Sequence, residues 1–177
     1  MPESAVHMHR AYLALGSNIE PEKNLVEAIR RLARSGTTLA VSRIYQTAPV
    51  GPPGQPDYLN AAVLLETPAS LAEVRERIIP EIERALGRVR VPGNKHAPRT
   101  IDVDVALFDR EVIDADDCRI PDPDILERPF LAITLAELDP EYVHPQDDRT
   151  LREIATSFPP ESRAMRVRDD VMPSEFL

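Results

Sequence analysis

Apolar residues run along the chain in two rhythms. Arg10-Ala11-Tyr12-Leu13-Ala14-Leu15-Gly16 is a short apolar run closed by Gly16-Ser17-Asn18, a turn signal. It predicts a buried strand followed by a loop. From about Glu22 the period lengthens: Leu25, Ile29, Leu32 and Ala33 recur at helical spacing among charged residues, with Gly36 as a fitting stop. Thr37 to Gln46, with Leu39, Val41, Ile44 and Tyr45, is rich in β-branched residues and predicts a second strand. In Tyr58 to Thr67, Tyr58, Asn60 and Ala62 share one face of a strand and Leu59, Ala61 and Val63 share the other. Ser70-Leu71-Ala72-Glu73 is a capping-box pattern. It opens a second amphipathic helix marked by Leu71, Val74, Ile78, Ile82 and Ala85, ending near Gly87. Pro80 inside that helix is expected to kink or split it.

A fourth strand follows at Pro98 to Phe108. Alternation puts Ile101, Val103, Val105 and Leu107 on one face and Thr100, Asp102, Asp104, Ala106 and Phe108 on the other. Beyond it the pattern predicts a short strand at Arg110–Ile113, a short helix toward Arg128, a helix from Phe130 to Leu138 and another from Leu151 to Ala155. The order strand, helix, strand, strand, helix, strand is that of a split βαβ. It predicts an α+β fold, a ferredoxin-like βαββαβ sandwich with short C-terminal appendages. Residues 10–158 form one domain in this reading, 1–9 a loose leader carrying His7 and His9, and 159–177 an irregular tail.

Composition changes the picture in three places. A chain of 177 residues with 42% hydrophobic and 29% charged residues has material for one domain with a real core. The net charge of −9 argues against general nucleic-acid binding, which needs a basic excess along the phosphates. The single cysteine, Cys118, leaves no intrachain disulfide and no cysteine metal site, which fits a reducing cytoplasm. No apolar run approaches membrane-spanning length, the start lacks the apolar region of a signal peptide, and no exposed apolar stripe demands a partner, so a cytoplasmic monomer is expected.

The candidate chemistry sits on the fourth strand and in two loops. Asp102 and Asp104 point to one face about 7 Å apart, with Arg99 just before them. Two hard carboxylates on a rigid element are a grip for Mg²⁺; a solvated strand face or a structural Asp–Arg pair is the other reading. Thr47 to Asp57 is a long loop with four prolines, and Arg88 to Arg99 is a basic loop with four cations in an acidic chain. Loops of that length in compact domains are often functional.

Five stretches occur in order: Leu15-Gly16-Ser17-Asn18, Tyr45-Gln46-Thr47-Ala48-Pro49, Gln55-Pro56-Asp57-Tyr58-Leu59-Asn60-Ala61-Ala62, Gly87-Arg88-Val89-Arg90 and Pro98-Arg99-Thr100-Ile101-Asp102-Val103-Asp104. With them the chain resembles the 6-hydroxymethyl-7,8-dihydropterin pyrophosphokinases over roughly residues 10–155. The resemblance implies transfer of the β,γ-diphosphate of ATP to the hydroxymethyl group of a reduced pterin, with AMP leaving, in folate biosynthesis. It implies two Mg²⁺ ions at Asp102 and Asp104, with Arg88, Arg90, Arg99 and Arg128 on the phosphate side. It places the pterin between Tyr58 and Phe130, with Asn60, Thr47 and the backbone around Pro49 and Val50 at the ring edge. Glu83 matches a helix glutamate near the nucleotide side, a solvated helix face being the other reading.

Three departures cluster on the nucleotide side. Asp122 stands in Pro121-Asp122-Pro123 where the family commonly has histidine. An ionised aspartate cannot donate to phosphate and repels it. His96 replaces an aromatic residue of some members, and Pro80 a polar one. The competing reading is a pterin-binding module with weak or altered diphosphokinase activity; a Mg²⁺-dependent nuclease is disfavoured by the charge balance.

Overall fold

The computed structural model of the protein describes residues 5–177. The order is β1 (His9–Ser17), α1 (Pro21–Leu32), β2 (Thr37–Val41), β3 (Tyr45–Thr47), β4 (Tyr58–Thr67), α2 (Leu71–Glu73), a π-helical turn (Val74–Ile78), α3 (Ile79–Ala85) and β5 (Asp102–Phe108). A hairpin of β6 (Ile113–Ala115) and β7 (Cys118–Ile120) follows, then a 3₁₀ turn (Pro123–Ile125), α4 (Pro129–Leu138), α5 (Leu151–Ser157), α6 (Pro160–Arg163), β8 (Arg166–Val167) and a last 3₁₀ turn (Ser174–Phe176). The main sheet runs β5-β1-β4-β3-β8, with β2 on the other end of the same edge of β4. Its central pairings are antiparallel, the arrangement of a ferredoxin-like α+β sandwich.

Two apolar layers cover the sheet. On one face Leu13, Leu15, Leu59, Val63 and Leu65 meet Leu25, Ile29 and Leu32 of α1 and Val74, Ile78 and Ile82 of the second helical run. Each such fully buried side chain contributes about 1.5–3 kcal/mol relative to exposure. On the other face Tyr12, Leu64 and Leu107 meet Ile125 and the apolar sides of α4 and α5. That second layer stops short of the sheet end carrying Gly16, Asn60 and Asp102, where a cleft opens.

Local departures from the pattern have physical causes. Pro80 neither splits nor ends its helix. The preceding turn widens so that the Ile79 N–H reaches the carbonyl of Val74, which accommodates a ring that would clash with a normal α turn. Gly36 does not stop α1, which ends at Leu32. Its small size is needed because a Cβ there would lie 2.3 Å from the Glu66 carbonyl oxygen. The predicted strand 37–46 breaks into β2 and β3 at Ser42, whose hydroxyl accepts the Ala62 N–H at 2.8 Å and so replaces a ladder bond. Gly16 and Ser17 continue β1 and form no turn.

Alternation along β5 fails at Ala106. Leu13 pairs with Val105 and Tyr12 with Leu107, so one extra residue bulges out. Phe108, expected beside the aspartates, therefore packs in the α1 layer, and Leu107 packs in the opposite one. The two ends of the chain are also more structured than the pattern predicts. Residues 1–4 of the expected leader lie outside the described residues, and His9 belongs to β1, its Nδ1 2.6 Å from Asp109 Oδ2. Residues 159–177 add β8 to the sheet and pack Val171, Met172 and Phe176 against the α1 layer. Among the described residues, no helix is long and apolar enough to cross a membrane.

Candidate active site

Strand register builds the floor of the cleft. Asp102 on β5 pairs with Gly16 on β1, and Gly16 pairs with Asn60 on β4, which pairs with Tyr45 on β3. One step along, Asp104 pairs with Ala14 and Ala14 with Ala62. The acids and Asn60 thus flank a central strand that presents only small residues. The space above is a cavity of about 470 Å³. Thr47, Val50, Tyr58, Asn60, Arg99, Asp102, Asp104, Asp122, Arg128 and Phe130 all line it, whereas Pro49, Arg88 and Arg90 do not.

The acids sit in an uneven field. Asp102 accepts from Arg99 Nη1 at 2.7 Å, and its other oxygen lies 3.8 Å from Arg88 Nη1. Among the described residues, Asp104 has no such partner. Its carboxyl opens to the cleft but is set deep among protein, and it is pushed up to about 7. Burial is the first cause, followed by the facing charges of Asp102, Asp122 and Glu83, while Arg99 pulls the other way. An all-oxygen donor set with surplus negative charge suits a hard divalent cation such as Mg²⁺.

Helix termination aims the basic loop. After α3 the Gly87 N–H bonds the Arg84 carbonyl and the Arg88 N–H bonds the Glu83 carbonyl, a Schellman ending that needs the left-handed Gly87 at φ 73°. Arg88 then turns inward, giving Nη1 to the Ile101 carbonyl at 3.0 Å, with Nε buried and unpartnered. Arg90 stays exposed, 3.3 Å from Glu83. Glu83 itself is no solvated helix face: it is buried and accepts the Val103 N–H at 3.2 Å. Its carboxyl is raised by that burial.

The two long loops are tied to each other. Buried Asn18 donates to Gln55 and to the Pro56 carbonyl, both at 3.3 Å, and its Oδ1 accepts the Arg99 N–H at 2.8 Å. Gln55 Nε2 reaches the His96 carbonyl at 2.7 Å. A Cβ on Gly51, whose φ is 124°, would touch His96 Cβ at 3.0 Å. Lys95 and His96 line the cavity, and so do Asp124 and Glu127, which nothing in the chain's periodicity marked out.

Tyr58 and Phe130 both border the cavity, from β4 and from the start of α4. Asn60 Nδ2 donates to Thr47 Oγ1 at 2.7 Å, which leaves its Oδ1 beside Gly16. On the far side Asp122 caps the 3₁₀ turn by accepting the Asp124 N–H at 2.9 Å, and burial raises its carboxyl. Arg128 pairs with Asp124 at 2.9 Å.

A ferredoxin-like sheet carrying a carboxylate pair, inward arginines and a slot bordered by two aromatic rings defines a group-transfer enzyme. Residues 12–140 match the family 7,8-dihydro-6-hydroxymethylpterin-pyrophosphokinase, and the chain belongs to that family. It is 32% identical over 154 residues to the 2-amino-4-hydroxy-6-hydroxymethyldihydropteridine pyrophosphokinase of Haemophilus influenzae, covering 85% of this chain and 94% of that protein. It is 40% identical over 131 residues to the Bacillus subtilis protein of the same name, covering 72% of this chain and 77% of that one. In fold it is similar to a solved Plasmodium falciparum HPPK-DHPS, with TM-score 0.65 and 14% identity over 89% of this chain. It spans 46% of that longer chain.

Proposed function

We propose that the cleft binds ATP and 6-hydroxymethyl-7,8-dihydropterin together and transfers the diphosphate between them, giving the pterin diphosphate and AMP. The observation that carries this reading is the cross-sheet row Asp102–Gly16–Asn60, which sets an acid pair and an amide edge on either side of an open strand. Tyr58 and Phe130 flank the flat ring, and Asn60, Thr47 and the backbone at Pro49 and Val50 bond its edge. Arg88 and Arg99 grip phosphate oxygens. Arg90, exposed beside the buried Glu83, and Arg128, in an exposed pair with Asp124, swing in to help.

Asp102 and Asp104 would hold two Mg²⁺ ions, which when bound neutralise the triphosphate and polarise the hydroxyl. The hydroxyl oxygen attacks the β-phosphorus, the bond from that phosphorus to the α-bridging oxygen breaks, and AMP leaves. Asp104, on the cleft wall two residues from Asp102, is placed to accept the hydroxyl proton. Positioning and charge neutralisation do most of the work in phosphoryl-type transfers. A monomer in a reducing cytoplasm completes this reading, and a chain with a single cysteine suits that compartment.

The test is AMP formation from ATP in the presence and absence of the dihydropterin and of Mg²⁺. Dependence on both is expected. Pterin binding with no AMP release under saturating ATP would instead support the binding-module reading, which the names of the relatives do not favour.

A further inference from the structure

We propose that Arg168, in the C-terminal segment beyond the family match, is a positioning residue for the pterin side of the cleft. It would act through Gln46 and Asp57, and the proposal rests on the reading above. The segment is bound to the sheet by backbone and side chain together. β8 pairs Val167 with Tyr45 and Arg166 with Gln46, and the Arg168 N–H bonds the Ile44 carbonyl at 2.8 Å. The Arg168 side chain then folds back into a half-buried crevice. Nη1 donates to Gln46 Oε1 at 3.2 Å, Nη2 to Glu22 and Asp170 at 2.9 Å each, and Nε to Asp170 at 2.9 Å.

Gln46 passes the contact on. Its Nε2 donates to Asp57 Oδ2 at 2.8 Å. The direction of this relay is chemically determined, because a guanidinium only donates and an ionised carboxylate only accepts. The amide therefore has one orientation that satisfies both neighbours. Gln46 precedes Thr47 and Asp57 precedes Tyr58, so the relay clamps the two ends of the loop that carries Pro49 and Val50. Thr47 and Tyr58 are paired residues on the cleft wall. Arg168 reaches neither of them, and none of its contacts is on the phosphate side. Its loss should therefore be felt in pterin binding and spare the nucleotide.

The experiment compares Arg168→Ala, Gln46→Glu and Arg30→Ala with the unaltered protein. The readouts are KM for each substrate, kcat, thermal stability and hydrogen exchange of residues 48–57. Arg168→Ala should raise the pterin KM about tenfold, the effect of losing one hydrogen bond to a charged group. KM for ATP and kcat should stay within about twofold, and exchange in 48–57 should quicken. Gln46→Glu keeps its partner in Arg168 but sets a charge against Asp57, and should reproduce the same split. Arg30→Ala breaks the tie of the same segment to Glu175 without touching the relay, and should leave the pterin KM alone. Unchanged pterin KM and unchanged exchange in both relay variants would overturn the proposal. So would equal rises in both KM values with a collapsed melting temperature. The exchange measurement needs no turnover, so an inactive parent protein would refute the assigned reaction while still deciding whether Arg168 orders the loop.

Discussion

Gly16 sits directly across the ladder from Asn60, and a Cβ on Gly16 would lie 3.2 Å from Asn60 Oδ1 and 3.7 Å from the Tyr58 ring. The missing side chain is what lets the amide and the ring stand over the central strand. Gly16→Ala forces Asn60 to give by a few tenths of an ångström and tilts it away from the edge proposed for the pterin. Pterin affinity should fall about tenfold, the scale of one hydrogen bond, with little change in melting temperature. Fluorescence titration with the reduced pterin measures it.

Asp104 is held protonated more strongly in the folded chain than in the unfolded one, its carboxyl raised from 3.8 to about 7. The folded state then binds the extra proton between those two values, so stability falls as pH rises through that window and stays lowered above it. Asp104→Asn removes the penalty. In chelator-treated buffer at pH 8 its melting temperature should exceed that of the parent by a few degrees, after allowance for screening at an accessible group. The advantage should vanish near pH 4, and diphosphate transfer should drop by orders of magnitude. Differential scanning calorimetry across pH, beside an AMP assay, checks both halves.

Asn18 joins the two loops through one buried amide. Asn18→Ala leaves the Arg99 N–H unpaired and frees Pro56 from the bend that follows β1. We expect a loss of roughly 2 kcal/mol in urea unfolding and faster proteolysis within 50–57 and 93–98. Asn18→Asp keeps the acceptor for Arg99 and should recover part of the loss.

Asp122 lines the cleft, on the side proposed for the nucleotide, while capping the 3₁₀ turn through the Asp124 N–H. Asp122→Asn keeps a capping oxygen and removes the charge, so ATP should bind a few-fold tighter with the turn intact. Calorimetric titration of Mg²⁺-ATP decides this; unchanged or weaker affinity would mean that the phosphates never approach Asp122.

Much of this protein could be read from side-chain period alone. Strands β1, β4 and β5, the helices on one face and the α+β order all follow from burial, which leaves its rhythm in the residues that are buried. The acid pair was legible too, because a strand's two-residue period sends Asp102 and Asp104 the same way whatever packs around them.

What only the tertiary structure decided lies where a residue answers to a neighbour distant in sequence. Gly16 reads as a turn until Asn60 is found opposite it, and Gly36 reads as a helix stop until the Glu66 carbonyl is found against it. The bulge at Ala106 reverses the faces of Leu107 and Phe108, and no periodicity marks a register shift set by the partner strand. The C-terminal segment looked irregular because its order comes from β3 and α1, through Arg168, Gln46 and Glu22. Period reports what a segment does on its own; pairing across the sheet and between loops is a property of two segments at once, and only the folded chain brings them together.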